Sequence, residues 1–247
     1  MRRVKISIKN IPALVWGEPT DKVYLFVHGK MSSKEAAETF AEIARSKGCQ
    51  TISFDLPGHG ERTEQNERCD IWNGMRDLRI VADYVFANWK EVSLFASSLG
   101  AYFSLNTYQN DPFQKCLFQS PIVDMEYLIR QMMLWFEVSE ERLKREKEVN
   151  TPIDVLIWDY YMYVKEHPIT RWNVPTSVLY GGKDNLQSLD VMKTFVDQFS
   201  AKTVSSVLRI KYSIHLIAAH VKKIITHAKN GQDLIFLFIY SFSLGFV

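Results

Sequence analysis

The chain has almost no net charge: 30 basic and 28 acidic residues leave a formal balance of +2. They are spread along the sequence and build no basic face, so nucleic acid and other polyanionic partners are not expected. Cysteine is scarce. Cys49, Cys69 and Cys116 are odd in number and lack the close paired spacing of a metal site or redox motif, so they read as buried, inert thiols of a cytoplasmic protein. Neither G-x-x-x-x-G-K-S/T nor G-x-G-x-x-G occurs, and no metal cluster is visible, so no cofactor and no metal are expected. Long hydrophobic runs are missing as well. The start alternates charged and apolar residues, unlike a secretory signal, and the uncharged stretch 234–247 is shorter than the ~20 residues of a spanning helix. No stable membrane insertion is expected.

What is there is a chain of 247 residues, 47% hydrophobic and 23% charged, with enough apolar side chains for a continuous core. Apolar, β-rich runs recur at 23–27, 51–54, 92–96, 116–119 and 176–180, after a first strand near the start. Helix-period stretches such as 33–47, with Ser32 or Ser33 as its cap, and 74–89 lie between them. This alternation predicts βαβ units, and runs that are apolar nearly throughout predict parallel strands covered on both faces. The class is α/β, a doubly wound, mostly parallel sheet, with 204–212 as its last strand. Some fifty residues, 124–172, separate two strands that a simple crossover would join with fewer. They read as an inserted helical cap on a core made of 1–123 and 173–247.

The run Ser93-Leu94-Phe95-Ala96-Ser97-Ser98-Leu99-Gly100 takes a strand into a helix through small residues. A serine presented on such a sharp turn needs small neighbours two positions before and after it. Ser98 has Ala96 and Gly100 there, whereas Ser97 would have Phe95 and Leu99. Ser98 is therefore the expected nucleophile. The helix that follows aims its free N–H groups at it, which makes the Leu99 amide the first oxyanion donor.

Further turns accompany this one: His28-Gly29 after an earlier strand, Asp55-Leu56-Pro57-Gly58-His59-Gly60 after the next, and Tyr180-Gly181-Gly182-Lys183-Asp184 after a later one. Together they resemble the α/β-hydrolase superfamily over about residues 22–200. The inserted segment resembles the lid of bacterial carboxylesterases and monoacylglycerol-lipase-like enzymes. The resemblance implies an eight-stranded sheet, a Ser-acid-His triad, and a second oxyanion donor at the Lys30 N–H, with the Met31 N–H as its alternative.

A serine hydroxyl needs an imidazole to take its proton and a carboxylate to orient that imidazole. In the order Ser, acid, His, Asp184 follows an apolar strand at the sheet edge where ligands gather. Asp124 is the reserve acid, and otherwise caps the first helix of the insertion. Of the histidines, His28, His59 and His167 precede Asp184 and read as structural, whereas His215, His220 and His227 follow it. His215, 31 residues after Asp184 and just beyond the last expected strand, is the expected base, with His220 as alternate. Met125, Met132, Trp135 and Trp158 are expected to line an apolar substrate pocket.

These readings predict a serine esterase that cleaves a small or medium carboxylic ester through an acyl-enzyme. A thioesterase or amidase with the same triad is the alternative. The basic stretch 221–230 and the apolar 234–247 depart from the superfamily pattern. A frameshifted or truncated ending would account for them, and it would leave a catalytically impaired binding protein.

Overall fold

The chain enters the fold as a hairpin. Strand β1 (Arg3–Ile8) turns through Lys9 and Asn10 into the antiparallel β2 (Ile11–Trp16). Both turn residues have positive φ, 45° and 73°, the two-residue geometry whose twist matches that of the flanking strands. The computed structural model describes residues 1–181 and 184–199, and the backbone of 204–210.

Beyond the hairpin come β3 (Lys22–Val27), β4 (Gln50–Phe54), β5 (Glu91–Ser97), β6 (Cys116–Gln119), β9 (Thr176–Gly181) and β10 (Val204–Ile210). With β1 and β2 they form one eight-stranded sheet in the order β1-β2-β4-β3-β5-β6-β9-β10, parallel from β4 onward. The chain steps from β3 outward to β4 and then returns to β5 on the other side. The carboxyl ends of β3 and β5 therefore flank a topological switch point, where open α/β sheets bind their ligands.

Five helices join or follow these strands: α1 (Glu38–Ser46), α2 (Ile71–Asn88), α3 (Leu99–Thr107), α4 (Met125–Trp135) and, after β9, α7 (Leu189–Phe199). Successive β3 side chains show how both faces of the sheet are covered. Val23, Leu25 and Val27 enter the large core shared with α2 and α3, while Tyr24 and Phe26 enter a smaller one with Phe40, Ala41 and Ala44 of α1. Alternation along a pleated strand thus gives two buried faces and no polar one, the reason the run reads as continuously apolar. Asp70 caps α2 by accepting the Asn73 N–H at 2.9 Å. Ser33 stands at the start of the 3-10 turn that precedes α1, but its hydroxyl bonds Glu35 instead of capping the backbone.

Between β6 and β9 the chain builds α4, α5 (Glu140–Glu146), a small hairpin of β7 (Glu148–Asn150) and β8 (Val155–Ile157), and α6 (Trp158–Glu166). The expected helical insertion thus also contains a two-stranded sheet. No helix among the described residues is long and apolar enough to cross a membrane.

Candidate active site

The turn from β5 to α3 holds Ser98 at φ 49° and ψ −118°, a backbone conformation that costs an L-residue free energy and persists only where its surroundings fix it. Here they do. The Ser98 N–H donates to the Gln119 carbonyl at 3.1 Å, and the Ser98 carbonyl accepts the Ile122 N–H at 3.2 Å. Gly100 explains the demand for small residues: a Cβ there would lie 2.4 Å from the His28 carbonyl oxygen and 2.8 Å from that of Val27. The start of α3 thus rests on the backbone at the end of β3. Gly29 lies on the other side of the nucleophile turn, where an added Cβ would meet the Ser98 Cβ at 3.1 Å. As the first residue of α3, Leu99 has an N–H that the helix itself does not use.

Two buried histidines brace the turn after β3. The His28 Nε2 accepts the Leu56 N–H at 3.1 Å, so its proton sits on Nδ1, which donates to the Gly29 carbonyl at 2.7 Å. Burial, set against that hydrogen bond and reinforced by the neighbouring His59, lowers the His28 pKa to about 4 and keeps the ring neutral. His59 repeats the arrangement: its Nε2 accepts the Met31 N–H at 3.0 Å and its Nδ1 donates to the Pro57 carbonyl at 2.8 Å. Each ring therefore has both nitrogens committed to backbone, and neither is available to take a proton from Ser98. The Met31 amide is committed too. Lys30 keeps an N–H that no acceptor among the described residues takes.

Behind these rings lies a buried ionic cluster that the sequence did not announce. Asp55, fully buried, accepts the Lys34 ammonium at 2.7 Å, the Lys34 N–H at 2.9 Å and the Glu61 N–H at 3.0 Å. Burial acts to lower the Lys34 pKa, but hydrogen bonds to Asp55, Glu61 and Glu35 outweigh it and hold the ammonium above its ordinary range. Gly60, at φ 55°, leaves room for the carboxylate, since a Cβ there would fall 2.2 Å from Asp55 Oδ1. Arg62 closes the loop by donating to the Asp55 carbonyl at 3.0 Å and pairing with buried Asp77.

On the far side of β5, Asp184 begins the loop after β9. Its Oδ1 accepts the N–H groups of Leu186 at 2.9 Å and Gln187 at 3.1 Å. Burial raises its pKa, and the two N–H groups oppose that rise. Asp124 is exposed and caps α4, accepting the Tyr127 N–H at 2.8 Å. His167 ends α6, where its Nδ1 bonds the Tyr163 carbonyl and its ring stacks on Tyr163. His215, His220 and His227 lie outside the described residues.

A cavity of about 460 Å³ opens between α4, α6 and α7, bordered by Tyr102, Asp124, Met125, His167 and Phe195. Of the four side chains expected to line a substrate pocket, Met125 borders this cavity. Met132 shares the helix face of Met125 but sits two turns further on, buried in the core. Trp135, off that face by helix period, is 40% exposed. Trp158 packs on the core beneath the Lys144 and Lys147 ammonium groups. The cysteines are free, and only Cys116 is fully buried, Cys49 and Cys69 being half-buried. Burial raises all three thiol pKa values, that of Cys69 to about 12, which keeps them in the inert form. Among the described residues no group of side chains is arranged to hold a metal ion.

A strained serine at a strand-to-helix turn, set at the switch point of a doubly wound sheet, defines an α/β-hydrolase. Solved structures agree on the fold. Est1E from Butyrivibrio proteoclasticus with bound ferulic acid is similar at a TM-score of 0.69 and 15% identity, over 90% of this chain and 98% of that one. Alpha/beta hydrolase domain-containing protein 10 from mouse is similar at 0.65 and 17%, over 92% and 99%. The thioesterase domain from the curacin biosynthetic pathway is similar at 0.57 and 16%, also over 92% and 99%. The chain belongs to the family described as serine aminopeptidase, S33, which matches residues 18–157. No curated protein matches the sequence.

Proposed function

We propose that this hydrolase cleaves a small or medium carboxylic ester through an acyl-enzyme formed on Ser98. In this reading the imidazole of His215 takes the hydroxyl proton and Asp184 orients the imidazole. The Lys30 and Leu99 N–H groups hold the oxyanion, and the imidazolium then protonates the leaving alcohol. Water repeats the sequence on the acyl-enzyme and regenerates the serine. The observation that carries the proposal is the conformation of Ser98, on a turn packed against Gly29 and followed by Gly100, which lets α3 rest on the end of β3. It is joined by the commitment of the Met31 N–H to His59, which favours Lys30 as the second donor.

Residues 124–172 form a cap over the site in this reading. The ion pair between the Lys30 side chain and Asp154, at the β7–β8 turn, supports it. So does the two-pronged grip of Arg68 on Glu148, at 2.7 and 3.0 Å. The carboxylic acid bound to Est1E and the thioesterase domain favour an acyl ester or thioester, whereas the family description favours an amide; pocket shape rather than the triad selects among them.

A fluorophosphonate probe followed by peptide mapping tests the nucleophile: labelling at Ser98, abolished in Ser98→Ala, is expected, and labelling elsewhere refutes it. The same labelling should collapse in His215→Ala but persist in His220→Ala. Ratios of kcat/KM over p-nitrophenyl esters, acyl thioesters and aminoacyl anilides then decide the leaving group, and the esters should rank first.

A further inference from the structure

The turn that begins at Asp184 is closed on itself. Both N–H groups received by Oδ1 come from the next three residues, so these bonds fix the carboxylate within its own loop but not relative to Ser98. Among the described residues, the side-chain hydrogen bonds that tie this loop to the stretch after β6 all run through Gln187. Gln187 is 1% exposed, and its Oε1 accepts the N–H groups of Val123 at 3.0 Å and Asp124 at 2.9 Å. Its Nε2 donates to the carbonyls of Asp124 at 3.0 Å and Leu186 at 2.9 Å. The amide's full capacity of two acceptor and two donor positions is thereby used, and a flipped amide would set donor against donor. The Gln187 main chain is held as well, its carbonyl accepting the Tyr180 hydroxyl at 2.9 Å.

The partners of this amide matter as much as their number. Val123 and Asp124 directly follow Ile122, whose N–H bonds the Ser98 carbonyl at 3.2 Å. Both the nucleophile turn and the acid turn are therefore referenced to a single stretch of three residues, 122–124, one through the backbone and the other through Gln187. We propose that Gln187 is a positioning residue that sets the placement of the Asp184 carboxylate relative to Ser98, a role that rests on the Ser98–His215–Asp184 reading above. Displacing the acid loop would misplace the imidazole that it orients, and misplacement by ~1 Å can cost ~10²-fold in rate.

The experiment compares Gln187→Met, which keeps the length and removes all four bonds, with Gln187→Glu, which keeps the accepting oxygen and loses both donors. Hydrolysis of p-nitrophenyl acetate and the rate of fluorophosphonate labelling are measured for each, with melting temperature alongside. For Gln187→Met we expect kcat to fall about 10- to 100-fold with KM within about threefold of wild type. Gln187→Glu should fall between that variant and wild type, and it carries the test if Gln187→Met does not fold. In an Asp184→Asn background, Gln187→Met should slow labelling by less than about threefold, because a residue that acts through Asp184 has nothing left to position. A kcat within about threefold of wild type, or an undiminished further loss in the Asp184→Asn background, overturns the positioning role. Failure of the wild-type protein to be labelled at Ser98 instead overturns the underlying triad reading.

Discussion

Replacing Lys34 by methionine would leave the Asp55 carboxylate buried without its only cationic partner among the described residues. Both side chains are shut off from solvent, at 1% and 0% exposure. Breaking such a pair from one side typically costs ~3–5 kcal/mol, because the remaining charge keeps its desolvation penalty and loses the compensating attraction. Two features place the cost near the lower end. The N–H groups of residues 34 and 61 still reach the carboxylate, and the methionine stem fills most of the space of the lysine stem. A loss of about 3 kcal/mol corresponds to ~6–12 °C in melting temperature for a domain of this size. The assay is urea and thermal denaturation of Lys34→Met beside Lys34→Met/Asp55→Asn, in which the buried charge is gone. The double variant should regain ~1–2 kcal/mol, less than the full loss because an amide cannot accept at both oxygen positions. The same loop carries His59 to the Met31 N–H, so fluorophosphonate labelling should slow in the single variant. A melting temperature within about 2 °C of wild type, or a double variant no more stable than the single one, would refute the reasoning.

The pH dependence of stability carries a second expectation. The His28 pKa falls from its usual 6.5 to about 4 on folding, so between these values the unfolded chain binds the proton and the native one does not. Stability is complete above pH ~6.5 and declines towards pH ~4, with an upper bound of about 3 kcal/mol from this group. Urea midpoints measured from pH 7 to 4.5 should fall less steeply for His28→Asn than for wild type, and equal slopes would contradict the assignment. At Gly100, alanine would push a methyl group into two backbone carbonyls at 2.4 and 2.8 Å, which cannot yield as a side-chain tip can. A loss of about 3 kcal/mol is expected in denaturant unfolding, and unchanged stability would mean that α3 does not rest on β3.

The strands that alternate with helices were legible because each carries its own signal. Runs buried on both faces, such as 23–27 and 92–96, are apolar at all but one position, buried Ser93, and the observed β3 and β5 extend them by one or two residues. Strand β2 was missed for a local reason: the Lys9-Asn10 turn lacks the usual glycine, and Pro12 sits inside the strand. The three-residue strands β7 and β8 are too short to show a period. At the site, the turn at Ser98 could be read because its requirement is steric and falls on fixed neighbours. Lys34 and Gln187 could not. Each is a long polar side chain of a type that usually lies at the surface, and each is buried here because the topology brings two separate loops around it. The choice between the Lys30 and Met31 amides was equally beyond the sequence, since it turns on where His59, 28 residues away, directs its Nε2.

The described histidines constrain where the base must come from. His28 and His59 have both ring nitrogens committed to backbone, and His167 ends a helix of the insertion with its Nδ1 bonded and its ring stacked on Tyr163. The histidine base that the proposed triad requires is therefore expected in the chain after β10. That strand is parallel to β9 in a register that sets Ile210 beside Gly181, so its carboxyl end reaches the edge from which the acid loop departs. From Ile210 to His215 is five residues, a connection that can span up to ~17 Å. Three strand spacings of ~4.8 Å separate β10 from β5 in the sheet order, or roughly 14 Å. The reach matches the gap with little slack. His220, with twice the span, covers the same gap. The register of β10 therefore puts both histidines within reach of the nucleophile turn, and the labelling of His215→Ala beside His220→Ala decides between them.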